Sequence, residues 1–435
     1  MSFYCKIYNI IGSILAGITL PLWLPYVLAR KKYRVSFISR SGFLSKKTIE
    51  KIKQKPNIWV HAVSVGEVNL AITLIEKLRP LCPKNQFVVS VTTMTGHEVA
   101  SKKLNEEDVL IYFPTEFWPI MYKIVALVNP VTAVIIETEI WPNFVYSLHK
   151  LNIPLILANG RLSEKSFSRY KLVKPFIKDV LEKFAHFNMQ TERDAKRIIE
   201  IGAEKEKVSI VGNIKFDSAK IVEQTQADEE ILNQISLNHE TPVFIAAALE
   251  KSGKEDPVAI NVFENLRENH PNAALIIVPR HPERGDDIAK LVSSRGFIPR
   301  RRSKNEKFDN PDKQIFILDT VGELARFYTL AKVVFVGKSL FKPGGGQNMI
   351  EPVALGLPVI YGKYTGNFRG IADVLAAHGG AKIVSDENDL TENLIFLWNN
   401  PDKAREMVIK GQNYIRSQQG VTHKNIKNIL KFCKK

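Results

Sequence analysis

Short apolar runs rich in β-branched residues alternate with amphipathic stretches along most of this chain. Runs of this kind are typical of strands buried on both faces of a parallel sheet. A repeated strand-then-helix pattern predicts α/β domains with helices packed on the sheet. The runs lie at residues 58–63, 86–92, 109–114, 133–138, 154–160, 187–191 and 208–212, and again at 242–248, 273–280, 315–319, 333–339, 358–362 and 381–384.

The alternation is interrupted between Phe216 and Thr241, where the chain is polar and charged and has no strand signal. A length of 435 residues also exceeds what one hydrophobic core normally serves. We therefore predict two doubly wound, Rossmann-like domains, at residues 36–225 and 226–435. Ligands of such sheets bind outside the carboxyl ends of the strands, so the site is expected in a cleft that both domains face.

The formal net charge of +16 favours a polyanionic partner. Nucleic acid, an anionic membrane and a phosphorylated substrate all fit the charge alone. No RNP, KH or helix-turn-helix pattern accompanies it, so we predict no nucleic-acid partner. The three cysteines, Cys5, Cys82 and Cys433, form no CxxC motif, and no histidine pair has HExxH spacing. We therefore expect a reducing compartment and no structural metal.

The segment from Ile7 to Ala29 contains no charged residue, and it exceeds the roughly 20 residues that cross a bilayer. We predict a membrane anchor over residues 1–35. A helix buried in the core is the alternative, and Pro21 and Pro25 leave a re-entrant or monotopic anchor open. Basic residues follow the segment and place the bulk of the chain on the cytoplasmic side: Arg30, Lys31, Lys32 and Arg34. Further lysines up to residue 55 fit either anionic headgroups or a solvated helix face.

The motif HAVSVGEV at residues 61–68 comes directly after the first predicted strand and places Glu67 where the next helix begins. A glutamate in a first helical turn often only complements the helix dipole. Its position at the carboxyl end of a parallel strand also suits a general base at the site. The helix terminus would lower the pKa of this carboxyl, whereas an efficient base has a raised pKa. Both interpretations stay open.

Two further motifs end strands in the first half of the chain. ETEIWPN at 137–143 carries Glu137 and Glu139, which an extended backbone points to the same side. They could stabilise developing positive charge or form a helix cap. GNIKFD at 212–217 offers Lys215, a cation suited to a carboxylate or phosphate, or simply a surface lysine.

The second half repeats this layout in three motifs. PRHPER at 279–284 presents Arg280, whose guanidinium suits bidentate recognition of phosphate. In DTVGEL at 319–324, Gly322 opens a helix whose free N–H groups suit an anion. In GGGQNMIEP at 344–352, the glycines allow close approach of a ligand and Glu351 can accept two ribose hydroxyls. These motifs predict a nucleotide-sugar site, with a plain glycine turn and a structural ion pair as the alternative.

Together with NGRLSEKS at 159–166, these motifs resemble the transferases of 3-deoxy-D-manno-octulosonic acid (Kdo) in lipopolysaccharide assembly, which are glycosyltransferases of the GT-B fold. The resemblance covers nearly the whole chain. It implies CMP-Kdo as donor, a lipid A precursor (lipid IVA) as acceptor, an inverting reaction without a further cofactor, and the inner membrane as location. It also implies Glu67 as the base, and Glu137 and Lys215 as stabilisers of the transition state. The implied CMP site comprises Pro279, Arg280, Gly322, Glu323, Leu324, Asn348, Met349, Ile350 and Glu351.

The chain departs from the family pattern at two places. Gln347 stands where many members have histidine, and AAALEKSGKED at 246–256 replaces a segment that resembles ASTHxGEE. Gln347 can still donate a hydrogen bond but carries no titrating proton. The loss of Ser, Thr and His side chains around Ala247–Leu249 removes polar groups from the expected donor site. A transferase for another nucleotide sugar and a catalytically idle binding protein are therefore alternatives. An idle protein is disfavoured by the retention of Glu67, Glu137, Lys215 and Arg280.

Overall fold

The computed structural model describes residues 2–29, 31–222, 226–250, 252–366 and 368–433. Their contacts divide the chain into two compact units: Met1–Ser218 with Gln419–Lys435, and Ala219–Gln418. The sequence predicts a division after residue 225, with all later residues in one domain. In the structure, residues 419–435 belong to the first unit instead. The expected junction at 223–225 and the basic residue Arg30 lie outside the described residues.

A seven-stranded parallel sheet forms the core of the first unit. The strands are β1 (Asn57–Ala62), β2 (Gln86–Val91), β3 (Val109–Tyr112), β4 (Thr132–Ile136), β5 (Leu155–Gly160), β6 (His186–Met189) and β7 (Val208–Ile210). Their order is β3-β2-β1-β4-β5-β6-β7, so β1 and β4 are neighbours. Each residue of β1, β2, β4 and β5 is buried. The absence of polar alternation in their sequences follows from this burial.

Helices cover this sheet and begin where strands end. They are α1 (Phe3–Ala29), α2 (Lys31–Arg40), α3 (Lys46–Ile52), α4 (Val65–Leu78), α5 (Met94–Lys103), α6 (Trp118–Val128), α7 (Pro142–Lys150), α8 (Glu164–Leu172), α9 (Lys174–Leu181) and α10 (Glu192–Glu200). Ser64, Thr93 and Thr191 follow β1, β2 and β6, and each side chain accepts a hydrogen bond from the backbone N–H three residues later. These caps satisfy N–H groups that the first helical turn leaves unpaired.

The second unit repeats the architecture on another seven-stranded parallel sheet. Its strands are β8 (Val243–Leu249), β9 (Ala274–Pro279), β10 (Ile298–Arg301), β11 (Gln314–Ile317), β12 (Ala331–Val336), β13 (Val359–Gly362) and β14 (Lys382–Val384). The order is β10-β11-β9-β8-β12-β13-β14. Its helices are α11 (Glu229–Ile235), α12 (Glu255–Arg267), α13 (Gly285–Ser294), α14 (Leu324–Tyr328), α15 (Ile350–Ala354), α16 (Arg369–Ala377), α17 (Glu387–Asn399) and α18 (Pro401–Ser417). The prediction of two doubly wound α/β domains is thus confirmed.

The last helix, α19 (Val421–Leu430), returns to the first unit and packs on α4. Val421, Ile426 and Ile429 are buried in the same apolar cluster as Val68 and Leu74 of α4. At the start of the helix, the carboxylate of Asp217 accepts hydrogen bonds from backbone N–H groups of residues 420–422. An acidic group at this position also complements the helix dipole.

The N-terminal helix α1 is docked at its beginning and exposed beyond it. Among the described residues, no helix is long and apolar enough to cross a membrane, so the expected spanning anchor is not supported. The beginning of α1 contacts α7 and α9, with Cys5 fully buried. Large apolar side chains farther along α1 are exposed: Ile10, Ile11, Ile14, Leu15, Ile18 and Leu22.

Candidate active site

Glu67 lies in the first turn of α4, directly after β1. Its Oε2 accepts a hydrogen bond from the Val63 backbone N–H at 2.7 Å, and its Oε1 accepts one from the Ser64 hydroxyl at 2.9 Å. Ser64 in turn caps the N–H of Glu67, which makes a reciprocal capping box. Burial raises the pKa of Glu67, and the charge of Glu137 raises it further, against the lowering effect of the two hydrogen bonds. In the pKa of Glu67, burial therefore outweighs the lowering effect of the hydrogen bonds at the start of the helix.

Glu137 comes directly after β4 and faces Lys215. Its backbone is left-handed, with φ of 58°, and its N–H donates to the carbonyl oxygen of Ala158 in β5 at 2.9 Å. Glu137 Oε1 lies 3.9 Å from Lys215 Nζ. The charge of Glu137 also acts on Glu67, as expected for residues at the carboxyl ends of the neighbouring strands β1 and β4. The structure thus brings the three predicted catalytic residues together within the first unit.

Lys215 lies on a short 3-10 helix, Ile214–Phe216, that buried amides hold against β5. The Ile214 N–H donates to Asn159 Oδ1 at 3.0 Å. Asn213 donates to Gln190 Oε1 at 2.9 Å, and Gln190 donates to the Asn159 carbonyl at 2.8 Å. Burial lowers the pKa of Lys215, while the charge of Glu137 opposes that effect. A fixed, partly desolvated ammonium beside a carboxylate can stabilise developing negative charge.

Glu139 joins this cluster and was not among the predicted catalytic residues. Its pKa is raised to about 7, by burial first and then by the charges of Glu67 and Glu137. Arg161, at the end of β5, acts on Lys215 as a second cation. The two-residue spacing of Glu137 and Glu139 was the sequence signal for a paired site, but it could not show that the charge of Glu67 also acts on Glu139.

The predicted CMP residues lie in the second unit, at the end of β9 and after β11 and β12. The charge of Glu351, in the first turn of α15, acts on Tyr328 of the neighbouring helix α14. Burial raises the pKa of Glu351, and no hydrogen bond or ion pair to its carboxylate occurs within the described part of the chain. Asn348 is exposed, and its Oδ1 accepts from the Ile350 N–H at 3.2 Å. Met349 and Ile350 are buried core side chains, so only their backbone groups are available to a ligand.

The remaining candidate CMP residues differ in the exposure and the pairing of their side chains. Arg280 is exposed at the end of β9, after the buried Pro279, and Gly322 has φ of 92° just before α14, where Leu324 begins the helix. Glu323 is already paired: Arg302 Nη2 lies 2.6 Å from Glu323 Oε1, and the Thr320 hydroxyl donates to Oε2 at 2.5 Å. The pKa of Glu323 is lowered, chiefly by Arg302. A structural ion pair accounts for this carboxylate.

Glu255, within the divergent segment 246–256, has a role that the sequence did not reveal. Its carboxylate is fully buried and accepts backbone N–H bonds from Lys338, Ser339 and Leu340 at 2.6 to 3.0 Å. These residues precede the glycine-rich loop, whose Gly346 N–H bonds the Lys338 carbonyl at 2.7 Å. Glu255 therefore fixes the backbone of residues 338–340, which lead into the glycine-rich loop, and its carboxylate is unavailable to a ligand. No cluster of three or more potential metal ligands is found in the described ranges.

Known proteins resemble this chain in sequence and in fold. A family model described as 3-deoxy-D-manno-octulosonic-acid transferase (kdotransferase) matches residues 33–218. The 3-deoxy-D-manno-octulosonic acid transferase of Haemophilus influenzae is 32% identical over 380 residues, which are 86% of each chain. A bifunctional glycosyltransferase/methyltransferase of Fusobacterium nucleatum is 34% identical over 363 residues, 83% of this chain. That match covers 54% of the Fusobacterium protein, so this chain spans about half of its length.

The crystal structure of a glycosyltransferase from Rickettsia africae gives a TM-score of 0.59 at 11% identity, covering 87% of this chain and 98% of the other. This likeness shows the fold alone. Two doubly wound sheets of this type, together with the sequence relatives, define a glycosyltransferase of GT-B-like architecture. More narrowly, the chain belongs to the 3-deoxy-D-manno-octulosonic acid transferase family.

Proposed function

We propose that this chain transfers Kdo from CMP-Kdo to a lipid A precursor such as lipid IVA, with inversion at the anomeric carbon, in lipopolysaccharide synthesis. The observation that carries the proposal is the cluster of Glu67, Glu137 and Lys215 in a member of this family, with a raised pKa at Glu67. A raised pKa is what a general base for a hydroxyl group needs.

In the proposed reaction, Glu67 takes the proton of a primary hydroxyl on the acceptor sugar. The oxygen attacks the anomeric carbon of Kdo as the bond to the CMP phosphate breaks, and CMP leaves on the opposite face. One displacement of this kind inverts the anomeric centre. Lys215 offsets the negative charge on the Kdo carboxylate and phosphate. Glu137 orients that ammonium from 3.9 Å and balances positive charge that develops on the sugar ring.

We further propose that the second unit binds the CMP group. Glu351 lacks a protein partner for its carboxylate in the described ranges, which suits it to accept two ribose hydroxyls. The carboxylate is half-buried and its pKa is raised by desolvation, and hydroxyl donors would offset that cost. The side chain of Arg280 is exposed at the end of β9, so its guanidinium can pair with the phosphate. We assign no nucleotide contact to the Glu323 side chain, because Arg302 already holds it.

We propose that the protein works at the cytoplasmic face of the inner membrane, with α1 lying on the anionic surface as a monotopic helix. Exposed apolar side chains from Ile10 to Leu22 support this placement, and basic residues follow the helix at residues 30–34. A helix with an exposed apolar side and cationic flanks is suited to the headgroup boundary. This location would bring the first unit to an acceptor that is itself a lipid.

The test is to incubate purified full-length protein with CMP-Kdo and a tetraacylated lipid A precursor and to weigh the products. An acceptor heavier by one or more Kdo residues, with release of CMP, supports the proposal. CMP binding without product would indicate an idle binding protein. Product formed only with another nucleotide sugar would indicate a different donor. This control is necessary because the apolar segment Ala246–Leu249 replaces polar residues of the family pattern.

A further inference from the structure

The docked beginning of α1 is joined to the start of α7 by a pair of side-chain amides. Asn9 Nδ2 donates to Asn143 Oδ1 at 2.8 Å, and Asn143 Nδ2 donates to Asn9 Oδ1 at 3.0 Å. The two residues are 134 positions apart in the chain. Asn143 is only 1% exposed. Two amides that satisfy each other in a buried setting fix both backbones, because a lost partner would leave polar groups desolvated.

Asn143 is held from a second side by Glu116. The Asn143 backbone N–H donates to Glu116 Oε1 at 2.5 Å, and Asn143 Nδ2 also approaches the Glu116 carbonyl oxygen at 3.3 Å. Glu116 Oε2 is buried without a hydrogen-bond partner in the described part of the chain. Burying a carboxylate to accept a hydrogen bond at the start of a helix carries a large desolvation cost. Its placement indicates that the position of Asn143 matters.

Asn143 also marks one end of the loop that carries two carboxylates of the candidate site. The loop leaves β4 at Glu137 and enters α7 at Pro142. Its first end is fixed to β5: the Glu137 N–H bonds the Ala158 carbonyl, and the Thr138 hydroxyl accepts from the Arg161 N–H at 2.9 Å. Its second end is fixed through Asn143 to Asn9 and Glu116. The loop between them contains Glu139.

We propose that Asn9, Asn143 and Glu116 are positioning residues for the catalytic loop 137–141, so that the beginning of α1 is part of the active-site framework. The inference rests on the proposed function, because it assigns the loop to that same reaction. Small displacements of catalytic groups are costly: about 1 Å can lower a rate 10²-fold. Loss of the amide pair should therefore lower turnover while leaving nucleotide binding in the second unit unchanged.

The other contacts of α1 supply a matched control. Ser2 Oγ donates to Asp179 Oδ2 at 2.6 Å, and the Tyr8 ring stacks on Phe176 with centroids 5.4 Å apart. Both contacts dock the start of α1 on α9, and Ser2 Oγ also lies 3.1 Å from the Tyr146 hydroxyl in the body of α7, but none of these contacts touches loop 137–141. Ser2→Ala removes docking hydrogen bonds to α9 and α7, whereas Asn9→Ala removes the link to the loop. A purely structural role of α1 predicts the same small effect for both variants.

The experiment compares full-length wild type, Asn9→Ala, Asn9→Asp and Ser2→Ala. We expect Asn9→Ala to lower kcat by about 10- to 100-fold, in line with a small displacement of the loop. The KM for CMP-Kdo should stay near that of wild type, while the melting temperature should fall slightly, because Asn143 loses a buried hydrogen-bond partner. Asn9→Asp keeps the acceptor for Asn143 Nδ2 but places a second carboxylate oxygen against Asn143 Oδ1, so it should lower kcat as Asn9→Ala does. Ser2→Ala should leave kcat unchanged. Equal rates for Asn9→Ala and wild type, or equal losses in Asn9→Ala and Ser2→Ala, would overturn the inference.

Hydrogen exchange separates this inference from the proposed function, because it needs no substrate. Peptides covering residues 137–143 should exchange faster in Asn9→Ala than in wild type and Ser2→Ala. If wild type makes no Kdo product but this difference is seen, the proposed reaction fails and the positioning role stands. If wild type is active and the exchange of 137–143 is unaltered in Asn9→Ala, the positioning role fails and the reaction stands.

Discussion

The carboxylate of Glu67 is fixed by two donors, the Val63 N–H and the Ser64 hydroxyl. Such donors favour the charged form, yet burial raises the pKa of the group. The result is a carboxylate with defined geometry whose proton affinity exceeds that of a solvated glutamate, which is what the proposed base needs.

Replacement of Glu67 by glutamine tests this role. Glu67→Gln should keep the fold and CMP binding but lower kcat by about 10²- to 10⁴-fold, the usual contribution of general-base catalysis. Transfer rate and melting temperature are measured on the same preparation. Glu76→Gln, on an exposed face of the same helix, is the control and should retain full turnover. Near-normal turnover of Glu67→Gln with a slightly lower melting temperature would contradict the base assignment.

Glu351→Ala tests the nucleotide site. Loss of a charge-assisted hydrogen bond should weaken CMP binding by about 1.5 to 3 kcal/mol without unfolding the protein. Titration calorimetry with CMP gives the affinity directly. Glu268→Ala, at an exposed position of the second unit, should bind as wild type does. Unchanged affinity in a folded Glu351→Ala protein would remove this residue from the site.

Glu116 makes a prediction about stability and pH. Burial raises its pKa from 4.5 to about 7, so the folded state binds its proton more tightly than the unfolded chain. Its contribution to stability is therefore fully present below pH 4.5 and is lost as pH rises through 7. Glutamine keeps the acceptor for Asn143 but does not titrate. The free energy of unfolding of Glu116→Gln relative to wild type should thus rise between pH 5 and pH 8.

That rise should be on the order of 1 to 3 kcal/mol, since one pKa unit corresponds to about 1.4 kcal/mol. Urea unfolding at several pH values measures it. Glu76→Gln, which removes an exposed carboxylate, should show no comparable pH-dependent difference from wild type. A constant difference between Glu116→Gln and wild type across this range would show that Glu116 does not titrate there.

At the scale of elements, α1 combines a docked beginning with an exposed continuation. We expect deletion of residues 1–35 to give a folded protein that still binds CMP, because the sheet of the second unit does not involve α1. Its transfer rate should be low, since the link through Asn9 is lost. Circular dichroism melts and CMP calorimetry check the first expectation, and a transfer assay checks the second. An unfolded product would show that α1 belongs to the core of the first unit.

The sequence predicted most elements because burial on both faces leaves a clear pattern in a parallel strand. The strand β10 (Ile298–Arg301) was not predicted, because it is a charged, partly exposed edge strand without an apolar run. In the candidate site, the neighbouring motifs of Glu67 and Glu137 were recognisable because each ends an apolar run. The involvement of Glu139, and the pairing of Glu323 with Arg302, depend on side-chain directions that spacing does not encode.

At the scale of the whole molecule, the alternation of apolar and amphipathic stretches indicated two α/β domains and the net charge indicated an anionic partner, but the assignment of residues 419–435 to the first unit required the structure. The sequence of α19 predicts an ordinary amphipathic helix, and nothing in that sequence identifies α4 as the helix it packs on. Such long-range contacts are decided by which apolar face remains uncovered in the complete fold. For the same reason the role of Asn9 at a distant loop is invisible from the order of residues alone.

The return of α19 to the first unit has a consequence for synthesis on the ribosome. Residues 1–218 emerge first, but the face of α4 that α19 covers stays bare until residues 419–435 have left the exit tunnel. The first unit is therefore completed only after the inserted second unit has been made. A fragment of residues 1–218 should aggregate when expressed alone. The same fragment joined by a short linker to residues 419–435 should be recovered as a monomer, which size-exclusion chromatography would measure.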